Sequence, residues 1–400
     1  VAGADTDAVA AEVASWRREP SAEGPGPSAA LVGMRVLDLS SFIAGPFCPM
    51  LLADLGADVV KLESADGDPF RMAAFGFVGW NRGKRSLVLD LKRAEGRDVF
   101  LDLARRADAV VDNFRAGVME RLGIGWETLR AANARLVHAS ITGWGTRGPL
   151  ATLPGFDPIF QAQTGLMRAQ GGDDQPVFHM VAYNDYSAGA LGALATVAAL
   201  FVRERSGRGQ RVDVSLFRTS YVVQAAELGP HAPRGGRDHL GPSACRRLYG
   251  CADGWLCIAA TAPAHATALA EIAGTPVALD DRPDGPSAAA LARALGGTPR
   301  AAALARLRQA GVPATPCLRF EDLFVDPVLR ASGCIVPDVH PALGELFVPA
   351  PFIRLSVTPV RLPRPAPLLG ADAASVLAEV GYAPDRIAAL MDTGIVGRGA

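Results

Sequence analysis

The 400-residue sequence has no Cys-x-x-Cys pair, and its six cysteines and six histidines are scattered without the spacing of a zinc site. Reduced thiols, no bound metal and a cytoplasmic location are the expectation. There is almost no net charge, −1 from 40 Lys+Arg against 41 Asp+Glu. Basic residues are spread along the chain, which argues against a nucleic-acid or membrane-surface partner. The longest apolar run, residues 188–202, falls short of the roughly 20 residues that span a bilayer and is read as a buried helix. Residues 1–30 carry early acidic residues and no apolar core, so neither a signal nor a transit peptide is expected. The first residue is Val, which leaves open a processed end, a trimmed tag or a piece of a longer chain. Neither glycine-containing segment that invites a nucleotide reading, residues 40–46 or 206–210, is a Gly-x-Gly-x-x-Gly or a P-loop, and no Gly-x-Ser-x-Gly or His-Glu-x-x-His occurs. A nicotinamide dehydrogenase, a Ser/His hydrolase and a metalloenzyme are therefore poorly supported.

What is present is the composition of a well-cored globular protein, 49% hydrophobic and 20% charged. After an expected helix at 5–18 and a Pro/Gly linker at 19–28, strand and helix patterns alternate. Strands are expected at 34–39, 58–62, 86–91, 109–112 and 136–142, with helices at 46–55, 95–106 and 127–132 between them. Such alternation predicts an α/β fold, a parallel sheet covered by helices. Beyond residue 149 the pattern predicts helices at 158–165 and 186–204, a Gly/Asp/Pro loop at 171–176 and a strand at 211–215. Pro and Gly cluster at 229–242, the expected boundary to a smaller domain. That domain opens with a strand at 255–259 and continues through Ala-rich helices to about 310; one clear C-terminal helix is expected at 372–380. The division expected is an extension at 1–32, a large domain at 33–228, a small domain at 229–310 and a return at 311–400.

Loops at the carboxyl ends of parallel strands bind ligands, which marks residues 40–46 as a candidate, an ordinary strand-to-helix turn being the alternative. Two carboxylates stand out, Asp157 in Pro-Gly-Phe-Asp-Pro and Asp185 in Tyr-Asn-Asp-Tyr-Ser. Asp185 just ahead of a long helix reads first as an N-cap, with a nucleophile positioned beside backbone N–H groups as the alternative.

Ordered blocks then carry a family resemblance. They are Val36-Leu37-Asp38-Leu39, Ala44-Gly45-Pro46, the run from Leu55 through Glu63 (LGADVVKLE), Asn81-Arg82-Gly83-Lys84-Arg85-Ser86, Asp112-Asn113-Phe114-Arg115-Ala116-Gly117, Ser140-Ile141-Thr142-Gly143-Trp144-Gly145, Gly155-Phe156-Asp157, Ser206-Gly207-Arg208-Gly209-Gln210 and Pro367-Leu368-Leu369-Gly370. From about residue 33 onward the chain resembles the family III CoA-transferases, the group that includes formyl-CoA and carnitine CoA-transferases and the 2-methylacyl-CoA racemases. The resemblance implies a Rossmann-like large domain, a smaller α+β domain and an interlocked homodimer. It implies coenzyme A, as acyl-CoA, for substrate, with a carboxylic acid acceptor. Carried over by position, it nominates Phe42, Ile43, Ala44, Leu89, Lys92, Asn113, Phe114, Val118 and Arg121 for the CoA site. Where some members carry an arginine after Glu63, this chain has Ser64, and Arg71 is the substitute expected to serve.

The family nucleophile falls on Asp185, implying an aspartyl-CoA thioester intermediate. Gly235 and Gly236 are nominated for the oxyanion. The racemase branch has a histidine where this chain has Phe156, which accepts no proton, so transfer is preferred over two-base racemisation. Asp157 either raises the pKa of Asp185 and orients it, or caps the helix at Pro158. The rival readings are another acyl-CoA reaction, such as isomerisation or racemisation, and a non-catalytic CoA-binding protein.

Overall fold

The computed structural model describes residues 27–171, 174–225, 239–360 and 364–399. The expected helix at 5–18, Gly235, Gly236 and most of the Pro/Gly cluster lie outside the described residues. Six strands, β1 (Arg35–Asp38), β2 (Asp58–Glu63), β3 (Lys84–Val88), β4 (Ala109–Asp112), β5 (Val137–Thr142) and β6 (Arg211–Ser215), form one sheet. Their order is β3-β2-β1-β4-β5-β6 and every pairing is parallel. The fold is thus α/β. Strands β1, β4 and β5 are buried on both faces, as a sheet covered on two sides requires.

On one face, Val36, Val59 and Ile141 pack against the helices Ala44–Asp54 and Tyr183–Ser206. These two helices lie close because the second presents glycine at the crossing. A Cβ on Gly189 would sit 2.8 Å from the Ala44 carbonyl oxygen, and one on Gly192 would sit 2.7 Å from Ile141 Cδ1. On the other face, Leu37, Val60 and Leu87 share a core with the helices Ala94–Ala104, Ala373–Glu379 and Pro384–Asp392. The chain therefore returns to this sheet at its C-terminal end.

A separate antiparallel sheet, β7 (Arg246–Cys251), β8 (Gly254–Ala259) and β9 (Ala314–Pro316), has its own core of Tyr249, Leu256, Ile258, Leu291 and Leu307. A hairpin, β10 (Ile335–His340) with β11 (Gly344–Pro349), packs Val348 on Phe77 and Val78 of the helix Ala74–Asn81. The sequence pattern did not predict β7, this hairpin, or the helices at Ala74–Asn81 and Pro384–Asp392. Two elements sit elsewhere than expected. Strand β3 begins two residues early and ends at Val88, because Leu89 leaves the ladder for a bridge to Val396 and Asp90 Oδ1 turns the chain by accepting the Lys92 N–H. The long helix starts at Tyr183 and runs 24 residues. By length and composition it is apolar enough to cross a membrane, and in the fold one face of it packs on the sheet.

Candidate active site

The chain order reverses between β1 and β4: β2 and β3 lie to one side, β5 and β6 to the other. Loops leaving the carboxyl ends of strands splay apart at such a switch point. Here they enclose a cavity of about 450 Å³. Its walls are Ser41–Ala44 after β1, Asn113–Arg115 with Val118 and Arg121 after β4, Ile141–Trp144 at the end of β5, and Leu153–Phe156. Ala151, Asp185 and Leu216 complete it.

The first wall is tightly specified. Phe42 sits at φ 67°, in the left-handed region that side chains avoid. Asn113 holds Ser41 from both sides, its Oδ1 accepting the Ser41 N–H (3.0 Å) and its Nδ2 donating to the Ser41 carbonyl (2.8 Å). Gly45 is required for this fit, because a Cβ there would lie 2.4 Å from Ser40 Cβ and 2.8 Å from Asn113 Cγ. Phe42 then packs edge-on against Phe156 at 5.4 Å between ring centroids.

Asp185 lies in the first turn of the Tyr183–Ser206 helix and is partly exposed to the cavity. It does not cap that helix; Ala182 is the cap residue and makes no side-chain bond. The cap comes from another segment. Asp157, 3% exposed at the start of the helix Asp157–Gln163, accepts the Asn184 N–H through Oδ1 at 2.8 Å. Its Oδ2 accepts from Gln161 Nε2, which also donates to the Val181 carbonyl at 3.3 Å. Asp157 is therefore tied to the helix that carries Asp185, and both residues sit in one electrostatic environment. Burial, and after it the Asp157 charge, push the Asp185 carboxyl up to about 7. A carboxylate of that basicity is a better nucleophile than an ordinary one while remaining substantially ionised at neutral pH.

Of the nominated residues, the structure brings Phe42, Ile43, Ala44, Asn113, Phe114, Val118, Arg121 and Asp185 together in this one wall set. Asp157 stands directly behind. Leu89 is instead 2% exposed in the core beneath β3, and Lys92 is exposed on the turn after it, outside the cavity lining. Arg71 does not reach the cavity either. Its guanidinium is held by both oxygens of Glu63, at 2.6 and 2.7 Å, and lies 3.8 Å from the Phe77 ring centre.

Arg115, Trp144 and Phe156 line the cavity without having been singled out for binding. Arg115 carried a signal, since it belongs to the same Asn113–Gly117 block as two nominated residues. It and Arg121 are exposed at the cavity and make no ion pair with a described residue, which leaves two guanidiniums for phosphate groups.

An α/β sheet with a cavity at its switch point, a carboxyl of raised pKa facing it and two exposed guanidiniums beside it suits a protein that takes an anionic ligand. The model of CoA-transferase family III matches residues 31–373, and the chain belongs to that family. It is 37% identical over 388 residues to a succinyl-CoA:mesaconate CoA-transferase of Haloarcula hispanica, covering 88% of this chain and 96% of that protein. It is 34% identical to a succinate–glutarate CoA-transferase of Agrobacterium fabrum, covering 89% and 97%. Among solved structures, a CAIB/BAIF family protein from Brucella suis superposes with a TM-score of 0.77 at 31% identity, covering 88% of this chain and 99% of that one.

Proposed function

We propose that this CoA-transferase works through a covalent aspartyl-CoA thioester on Asp185. The observation that carries the reading is Asp185 itself, a basic carboxylate facing a cavity whose other walls suit a CoA thioester. Its carboxylate attacks the thioester carbonyl of a donor acyl-CoA, expelling CoA thiolate and leaving an acyl-aspartyl anhydride. The thiolate attacks the aspartyl carbonyl, releasing the donor acid and forming the aspartyl-CoA thioester. An acceptor carboxylate reverses both steps, leaves as its CoA ester and restores Asp185. Carboxylates are poor electrophiles, and splitting the transfer retains the thioester's free energy through each step. The helix N-terminus beside Asp185 stabilises the negative charge that each tetrahedral intermediate carries. Arg115 and Arg121 bind CoA phosphates, and Phe42, Ile43, Trp144 and Phe156 exclude water from the anhydride.

A pKa near 7 also suits a general base, so proton exchange at the α-carbon of an acyl-CoA is the second reading. Phe156, which packs on Phe42 at the cavity, provides no second base beside Asp185, and this favours transfer.

The working unit in this reading is a homodimer. Leu194 and Phe201 on the Tyr183–Ser206 helix and Phe352 are more than half exposed, and a second copy of the chain covers such apolar surface. The relatives named for succinyl-CoA make it the first donor to test, with dicarboxylic acids as acceptors. Mass spectrometry of the product pool should show the acceptor's CoA ester and free succinate in equal amounts. Hydrolysis alone, or acceptor-independent deuterium uptake at the α-carbon, would overturn the reading.

A further inference from the structure

Behind the Phe42 wall lie four charged side chains, none in the cavity lining: Asp38 (0% exposed), Lys61 (0%), Lys84 (0%) and Asp68 (4%). Strand register places Asp38 beside Lys61, and a lysine on each of two neighbouring strands points into the same interior space. Their polar atoms end on the backbone of the 40–46 loop. Asp38 Oδ1 accepts the Ser40 N–H at 2.9 Å and also its hydroxyl. Lys61 Nζ donates to the Ser40 carbonyl at 2.7 Å and pairs with Asp68 Oδ2 at 3.0 Å. Asp68 Oδ1 accepts the Phe42 N–H at 3.2 Å and the Phe70 N–H at 2.9 Å. Lys84 Nζ donates to the Pro46 carbonyl at 2.9 Å, Asp38 Oδ2 at 2.7 Å and Asn81 Oδ1 at 2.8 Å.

We propose that Asp38, Lys61, Asp68 and Lys84 are positioning residues that lock the 40–46 loop in the shape that presents Phe42 to acyl-CoA, and so set acyl-CoA affinity without touching it. Two acids and two lysines balance in charge, so the set is internally neutral. Buried pairs of this kind contribute little net stability compared with apolar packing, and their established use is to specify one arrangement. The arrangement specified here needs it. Phe42 is held in a left-handed conformation that a residue with a side chain adopts only when its surroundings over-determine it. Burial alone would raise Asp38, but the Lys84 and Lys61 charges and the bonds from Lys84 and Ser40 hold it below the usual carboxylate range. Burial lowers Lys84 to about 8 despite Asp38, so it is the member of the lattice closest to losing its proton.

This inference deepens the proposed function, since it names what shapes that site, yet its test needs no turnover. Amide hydrogen exchange of the 39–47 segment is measured on the full chain, together with the dissociation constant for CoA and, where turnover is seen, kcat and KM. Asp68→Asn keeps an oxygen for the Phe42 N–H, whereas Asp68→Ala removes it. The alanine variant should exchange at 40–46 about tenfold faster or more, with protection of β4 and β5 unchanged, and Asp68→Asn should restore most of the difference. CoA binding should weaken about tenfold in Asp68→Ala, appearing in KM rather than kcat. Lys84→Met should act in the same direction. Where Lys84→Met fails to fold, the Asp68 pair decides alone. Unchanged exchange at 40–46, or equal acceleration throughout the sheet, would overturn the proposal. If the wild-type protein binds no CoA, the proposed function fails, and the exchange data still decide whether these side chains lock the loop.

Discussion

Replacing Asp185 by asparagine should make the protein more stable, by an amount that depends on pH. Burial first, and Asp157 second, move the folded-state pKa from the ordinary 3.8 to about 7. That is roughly a thousandfold in proton affinity, on the order of 4 kcal/mol at about 1.4 kcal/mol per tenfold. The cavity is open to solvent, and screening leaves roughly half, about 2 kcal/mol. For a carboxyl whose folded pKa is raised, the folded state holds a proton between about pH 4 and 7 that the unfolded chain has already lost. Wild-type stability therefore falls as pH rises through that window, and the full penalty is present above about 7. Asp185→Asn removes the penalty. It should match the wild type only below about pH 4, exceed it modestly at pH 5, and exceed it at pH 8.5 by roughly 4–8 °C in Tm, at about 2–4 °C per kcal/mol for a domain of this size. Thermal melts across pH 5–8.5 measure this. A Tm gap independent of pH, or one largest at pH 5, would refute the electrostatic reasoning.

Three further outcomes follow from the same geometry. Asp157→Asn keeps an acceptor for the Asn184 N–H but removes the second cause of the raised Asp185 pKa, so the acidic limb of the kcat/KM profile should move to lower pH. Arg115→Ala and Arg121→Ala should each raise KM for acyl-CoA about 5- to 30-fold, with little change in kcat and a weaker dependence on salt. Gly189→Ala places a Cβ 2.8 Å from the Ala44 carbonyl oxygen, so the helix carrying Asp185 must shift. A cost of about 1–3 kcal/mol, read by chemical denaturation, should accompany a fall in kcat.

The sheet was legible because the apolar centres of β1 (Val36-Leu37) and β4 (Ala109–Val111) alternate with helical patterns, and that alternation alone brings the carboxyl ends of the strands to one edge. The hairpin β10–β11 was not, because Ile335–His340 is interrupted by Pro337 and its alternation is weak; it is held by a tertiary partner, Phe77 and Val78, about two thirds of the chain away. Asp185 was found through the resemblance, since its local signal favoured an N-cap. The structure removes the N-cap reading, because Asp157 accepts the Asn184 N–H, a long-range contact that no local pattern encodes. Arg71 failed as a substitute for a similar reason. A guanidinium eight residues from Glu63 finds that buried carboxylate before it finds the cavity. Lys61 and Lys84 entered only as members of the resembling blocks, with no local sign that both are fully buried.

Trapping of the intermediate tests the central claim most directly. The protein is incubated with succinyl-CoA and hydroxylamine, then digested and mapped by peptide mass spectrometry, with Asp185→Ala as the control. A hydroxamate on Asp185 and on no other carboxylate, absent without donor, is the predicted result; turnover to an acceptor's CoA ester with Asp185 left unmodified would contradict the covalent account.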